Sequence, residues 1–181
     1  AASVEAFCDK HFTADTAQYR GLSRDGVLIG YGLELAFLSA APPRDIRVAY
    51  TEPGSPAAQA AFDRGLKLVE IDGIDVVAGA DVAALNAALS PARAGETHSF
   101  RLQAADGSLR SASLTAAEIT RTSVQNVKTI DTDSGPVGYM LFNDHTAGAE
   151  AQLIAAINRF KAAAVSDLVI DMRYNGGGFL D

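Results

Sequence analysis

The stretch VSDLVIDMRYNGGGFLD, residues 165–181, decides the fold class. Leu168, Val169, Ile170 and Met172 form a short apolar run, the pattern of a strand buried on both faces of a sheet. The run breaks into Arg173-Tyr174-Asn175 and then Gly176-Gly177-Gly178. Consecutive glycines cost backbone entropy, so a chain that keeps them needs unusual backbone angles or close approach to something. Loops at the carboxyl ends of strands are where α/β sheets place their sites. Such a loop is normally followed by a helix packed back on the sheet. Only Phe179, Leu180 and Asp181 follow here, so the sequence is expected to be cut inside a domain.

Reading backward from this stretch, residues 147–163 predict a helix with Leu153, Ile154, Ile157 and Phe160 on one face. Residues 123–130 and 137–142 predict a hairpin across Thr132-Asp133-Ser134-Gly135. Strand, helix and strand at this spacing make one βαβ unit, expected to be parallel and right-handed.

Residues 27–115 have a different grain. Leu33, Leu35 and Phe37 alternate with Glu34 and Ala36, the period of a half-buried strand. Ala40-Ala41-Pro42-Pro43 breaks it, and residues 46–50 read as a second strand. Ser55 can cap a short helix over 57–62, with Pro56 suited to its first position. A third strand over 66–71 closes at Asp72-Gly73. Asp81 can cap a helix on which Val82, Leu85 and Leu89 share a face, ended by Ser90-Pro91. Two strands, 97–103 and 109–114, join through Asp106-Gly107. His98, near the start of the first, is expected to face solvent. Residues 115–121 are a boundary candidate without the Gly/Ser/Pro run of a flexible linker. The organisation expected is therefore a lead segment (1–26), a small domain (27–118) and a second domain (119–181).

The lead segment predicts a helix over residues 3–12, capped by Ser3. Val4, Phe7, Cys8, His11 and Phe12 form its apolar stripe. Cys8 and His11 lie one turn apart, but no further Cys or His pair completes a metal site, so a packed thiol beside a histidine is the stronger reading. Cys8 is the single cysteine, so no disulfide can form within the chain. The net charge of -7 argues against a nucleic-acid partner, which favours a basic face. No apolar run approaches the ~18 residues of a membrane span. The glycine run is not a dinucleotide fingerprint, because Asp181 stands where a third glycine is wanted, and it lacks the Lys-Ser/Thr of a phosphate loop. Asp144-His145 reads as a loop pair with no nucleophile placed near it. No cofactor and no metal is expected.

Two stretches together resemble a known family. Gly30-Tyr31-Gly32-Leu33 followed by a strand, and SPAAQAAFDRGLKLVEIDG over residues 55–73, resemble a PDZ-like domain of the bacterial, circularly permuted kind. GPVGYMLFNDHTAGAEAQLIAAINRFKAAAVSDLVIDMRYNGGGFLD is similar to the start of the core in tail-specific (C-terminal processing) serine proteases. Their Asp-Leu-Arg-x-Asn-x-Gly-Gly signature stands here as Asp171-Met172-Arg173-Tyr174-Asn175-Gly176-Gly177-Gly178. The order of the two modules matches as well. There are two departures. Ala61-Phe62 stands where Ala-Gly-Leu is usual, implying different packing at the end of the short helix. Leu66 replaces an Asp, removing a polar contact and implying a looser turn.

The resemblance implies an α+β and α/β chain. A leading helix would be followed by a permuted PDZ-like domain of about five strands and two helices, then by the first βαβ of a protease core. It implies a serine endopeptidase that takes polypeptide C-termini as substrates and lies in the bacterial periplasm or cell envelope. The substrate tail would add as a strand to the edge at residues 33–38. Its carboxylate would meet backbone N–H groups of Gly30, Tyr31, Gly32 and Leu33. Its last side chain would enter a pocket lined by Leu33 and Leu85, although both leucines are equally read as ordinary core. A Ser-Lys dyad would need a lysine held neutral by burial. No serine or lysine here lies in the matching motif, so no catalytic residue is assigned and the 181 residues alone are expected to be inactive. Gly176, Gly177 or Gly178 could offer a backbone N–H to an oxyanion, or could simply form a tight turn. An exposed apolar sheet edge would favour self-association. The competing reading is a non-catalytic peptide-binding or scaffold protein built from the same modules.

Overall fold

The computed structural model describes residues 26–177. The helix expected over residues 3–12, with Cys8 and His11, lies outside the described residues, as does Gly178. The chain divides between Thr122 and Ser123 into two compact units. The mixed α+β character read from the sequence is present in both.

The first unit, Val27–Thr122, holds β1 (Val27–Gly30), β2 (Leu33–Ser39), β3 (Asp45–Thr51), α1 (Pro56–Gln59), β4 (Lys67–Ile71), β5 (Ile74–Asp75), α2 (Val82–Leu89), β6 (Thr97–Gln103), β7 (Leu109–Thr115) and β8 (Ala117–Thr120). Its main sheet runs β2-β3-β4-β6-β7, all antiparallel, with β5 folded onto β4. Among the described residues β2 is therefore an edge strand. A separate ladder pairs β1 with β8, from Val27 opposite Thr120 to Gly30 opposite Ala117. The segment read as a boundary candidate, residues 115–121, thus carries a strand that closes this unit.

The core gathers Ile46, Val48, Leu68, Ile71, Phe100, Leu102 and Leu114 from the inner face of the sheet, with Leu85 and Ala88 from α2. Phe62 is fully buried, edge-on to Phe100 with ring centroids 5.8 Å apart. The helix α1 stops at Gln59, short of the expected end, because Ala61 takes a left-handed conformation (φ 53°). The Ala61 N–H then donates to the Ala58 carbonyl and the Phe62 N–H to the Ala57 carbonyl, a Schellman-type end. The aromatic ring swings inward as a result. The turn at Leu66 is not loose. The Val48 N–H donates to the Leu66 carbonyl and the Gly65 N–H to the Val48 carbonyl, while the Leu66 side chain packs on the core.

In the second unit, β9 (Val124–Thr132) and β10 (Gly135–Phe142) form an antiparallel hairpin. Helix α3 (Ala149–Ala162) then leads to β11 (Asp167–Asp171), which pairs parallel to β10. This is the βαβ arrangement read from the sequence. Two details differ. The buried stripe of α3 is Ala149, Ala156 and Phe160, with Leu153 beside it, whereas Ile154 and Ile157 are exposed. Leu168, Val169 and Ile170, expected to be covered on both faces, are each about half exposed. Among the described residues β11 has a strand on one side only, so the apolar run reads correctly as a strand but lacks its second neighbour.

Candidate functional site

The first candidate site is the loop between β1 and β2. Gly32 has φ 67° and is pressed so closely on the start of α1 that a Cβ there would lie 2.2 Å from the Ser55 Cβ. Only glycine fits such a position. The outward carbonyls of the loop are all engaged. The Gly32 carbonyl accepts from the Glu52 N–H (2.8 Å) and the Ser55 hydroxyl (3.4 Å), and the Tyr31 carbonyl accepts from the Ala57 N–H (3.0 Å). With the carbonyls fixed this way, the Tyr31 and Gly32 N–H groups donate to no backbone carbonyl among the described residues. Both residues are buried. Buried N–H groups in folded proteins almost always have a partner.

The Tyr31 side chain does not line an open groove. It enters the core, edge-on to Phe100 at 5.4 Å, and its hydroxyl donates to the Ala88 carbonyl of α2 at 2.9 Å. Burial, with the charges of Asp72 and Glu96 adding, pushes this phenol up to about 12, so it stays a donor. The loop is thereby tied to α2. Leu85 lies in the same core cluster, with Leu33 packed against it from the strand edge. Val82 on α2 is exposed and Leu89 half-buried.

His98 does not face open solvent. Its Nδ1 lies 2.5 Å from Asp72 Oδ2, while the Ser99 N–H and hydroxyl donate to Oδ1 at 2.7 and 3.1 Å. Burial raises the Asp72 carboxyl, but the hydrogen bonds from His98 and Ser99 outweigh it and hold the group below the usual carboxylate range. The Asp72-Gly73 turn read from sequence carried no hint of this pairing, because the partners are 26 residues apart.

The second candidate site is the carboxyl end of β11, in the second unit. The Asp171 carboxylate is buried and takes four donors: the Tyr139 hydroxyl (2.9 Å), the Arg173 N–H (3.1 Å), Arg173 Nε (2.9 Å) and Arg173 Nη2. The Arg173 guanidinium, more than anything else, holds this carboxyl far below its ordinary value. The same contacts raise Arg173. Asn175 organises the glycine run. Its Nδ2 donates to the Phe142 carbonyl (3.3 Å), and its Oδ1 accepts from the Gly177 N–H (2.9 Å). The Gly177 carbonyl in turn accepts from the His145 N–H (3.2 Å), and Gly177 itself sits at φ 102°. The Gly177 N–H is therefore engaged within the turn, and both Gly176 and Gly177 have open space where a Cβ would stand.

Sequence reasoning passed over Asn143, which is 3% exposed just past β10. Its N–H donates to the Ser123 carbonyl (2.8 Å), but neither Oδ1 nor Nδ2 has a hydrogen-bond partner among the described residues. A polar residue directly after an apolar strand was the available signal. Among the described residues no group of three His, Cys, Asp or Glu side chains could hold a metal ion, and no helix is long and apolar enough to cross a membrane.

No family model matches the sequence. A carboxyl-terminal-processing protease of Picosynechococcus sp. is 30% identical over 168 residues, covering 90% of this chain and 39% of that protein. The chain is a relative of the C-terminal-processing proteases. The photosystem II D1 C-terminal processing protease superposes with a TM-score of 0.59 at 26% identity, covering 90% of this chain and 44% of that one. A putative S41 protease from Bacteroides fragilis gives 0.57 at 20% identity over 98% of this chain and 49% of that one, which marks a shared fold. The chain thus spans less than half the length of each of these relatives, and the likeness to this protease family runs through both of its units.

Proposed function

We propose that these 181 residues are the recognition module and the first part of the core of a serine endopeptidase that processes polypeptide C-termini. In this reading the first unit is the PDZ-like domain. A substrate tail lies along the free edge of β2 as an added strand. Its terminal carboxylate takes the N–H groups of Tyr31 and Gly32. The observation that carries the reading is the pair of N–H groups on buried Tyr31 and Gly32 that donate to no backbone carbonyl among the described residues, beside a strand edge that is unpaired among those same residues. An anion there would be held by donors already oriented, at no cost in reorganisation.

The cleavage step belongs to a Ser-Lys dyad outside these residues, with the lysine kept neutral by burial so that it can take the serine proton. In the second unit the Asp171–Arg173 pair and Asn175 hold the glycine run in shape. Gly176 is then the described glycine best placed to offer an N–H to an oxyanion, since the Gly177 N–H is spent on Asn175. A periplasmic or cell-envelope location goes with this reading. So does association through the half-exposed apolar faces of β11.

The test is binding of short apolar-tailed peptides to the chain, with a free or an amidated C-terminus, read by calorimetry. Binding that needs the free carboxylate and is abolished by Leu33→Asp is expected. Equal binding of both peptide forms, or none of either, overturns the reading and leaves a scaffold role as the better one.

A further inference from the structure

The edge strand β2 carries a second apolar contact point beyond the residues nearest the loop. From Leu33 to Phe37 its pairing with β3 advances without an inserted residue on β2, since the irregularity between Glu34 and Leu35 skips a residue of β3. Leu33, Leu35 and Phe37 therefore share one face, and Glu34 and Ala36 share the other, while Leu38 is the extra residue of a bulge between Phe37 and Ser39. Leu33 and Leu35 pack against the core. Phe37 continues their line but is 58% exposed. A large aromatic left open at the end of a line of core leucines, on a strand whose outer edge is unpaired among the described residues, is an unfinished apolar row. Leu109, also open at 50%, begins β7 at the other end of the sheet order.

We propose that this chain reads a polypeptide tail at two points: the terminal residue, and a second apolar side chain four residues upstream that docks on Phe37. The inference rests on the tail-binding reading given above. If the carboxylate sits in the loop that precedes β2, the tail ends where β2 begins, so the two strands run antiparallel. Residues directly opposite each other in an antiparallel pair project to the same face. The tail residue facing Leu33 and the one facing Phe37 are then four positions apart, a span of about 14 Å at ~3.4 Å per residue. The substrate class is thus tails extended over at least their last five residues, with apolar side chains at the last and the fifth from last. A single terminal apolar residue is common in proteins. A second one at fixed spacing narrows the set and requires the tail to be unfolded over that length, as a processing substrate would be.

The experiment uses the 181-residue chain and nine-residue peptides with free C-termini, a terminal apolar residue, and either Leu or Ser at the fifth position from the end. Affinities are measured for the unmodified chain, Phe37→Ser and Leu109→Ser. With Leu in the peptide, Phe37→Ser is expected to weaken binding about tenfold, the effect of one buried apolar side chain. Leu109→Ser is expected to leave it unchanged. With Ser in the peptide, Phe37→Ser should cost nothing further. If the peptides bind through their carboxylate but Phe37→Ser has no effect, or Leu109→Ser weakens binding equally, the two-point readout is wrong while tail binding stands. If binding is indifferent to amidation, both fall. Phe37 is mostly exposed, so the substitution leaves the fold intact, which far-ultraviolet circular dichroism checks.

Discussion

Gly32 and Ser55 are in such close contact that the loop before β2 and the cap of α1 form one structural element. The Ser55 hydroxyl both accepts from the Ala58 N–H (3.2 Å) and donates to the Gly32 carbonyl (3.4 Å). The serine caps the helix and fixes the direction of the Gly32 carbonyl. That orientation is what leaves the adjacent N–H groups pointing elsewhere. Gly32→Ala is expected to cost about 2–4 kcal/mol, from the left-handed conformation and from forced overpacking. Urea unfolding of the first unit would register the loss. Adding Ser55→Gly should restore only the packing part, because the φ of 67° remains. Full recovery would mean the backbone is not strained there.

Ala61 offers the opposite case. It holds a left-handed conformation that costs an L-residue roughly 1 kcal/mol, at an exposed position. Its carbonyl accepts from Arg110, so the conformation is held from outside the helix. Ala61→Gly should stabilise the first unit by about 0.5–1 kcal/mol, the strain relieved less the extra freedom of the unfolded chain. The denaturation midpoint would rise with an unchanged slope. A fall in midpoint would show that the turn needs the methyl group.

Two carboxylates should titrate the stability of the two units in opposite senses. Asp171 is held below its ordinary value by Arg173, so its contribution is present above the unfolded-state value near 4 and is lost as pH falls through the lower folded value. Asp171→Asn should flatten that acid limb and lower stability at neutral pH by about 1–3 kcal/mol, as for a hydrogen-bonded charge. Glu52 is the reverse. Burial, outweighing the Thr122 N–H at 2.9 Å and the Arg121 charge, raises its carboxyl. The neutral form is favoured in the fold, so the first unit gains stability as pH falls through the raised folded value, and the gain is complete below the ordinary carboxyl value of the unfolded chain. Glu52→Gln should remove that gain. Thermal scans between pH 3 and pH 7, with near-ultraviolet signals assigned to each unit, would check both signs.

How much of this was legible in the sequence follows from the range of the interactions. Elements set by local chemistry were readable. Ser55-Pro56 and Asp81 start helices, Asp106-Gly107 turns a hairpin, and the run at 168–170 makes a strand. What failed depended on distant partners. His98 looked solvent-facing because nothing near it in sequence points to Asp72. Ile154 and Ile157 are larger than Ala156, so hydropathy favoured them for the buried face of α3. The helix instead approaches β10 at a glycine and has room there only for a small residue and a ring. The candidate tail site was legible as the glycines of its loop. That Tyr31 would be drawn into the core depends on the Ala88 carbonyl 57 residues away.

The approach of α3 to β10 gives the last prediction. A Cβ added to Gly138 would lie 3.0 and 3.1 Å from two atoms of the Phe160 ring and 3.2 Å from a Leu168 methyl. Phe160 is 4% exposed and packs with Met140 and Ala156, so its ring has little room to yield. Gly138→Ala should therefore push the helix off the strand and destabilise the second unit by about 1–3 kcal/mol. Strand propensity acts the other way, since alanine loses less backbone entropy than glycine, and that term is worth roughly 0.5–1 kcal/mol. Phe160→Leu alone should also destabilise, by leaving space against β10. Combined with Gly138→Ala it should recover part of both losses, because the smaller side chain makes way for the new methyl group. Additive losses in the double variant, measured by urea unfolding, would mean that the two sites do not share a contact.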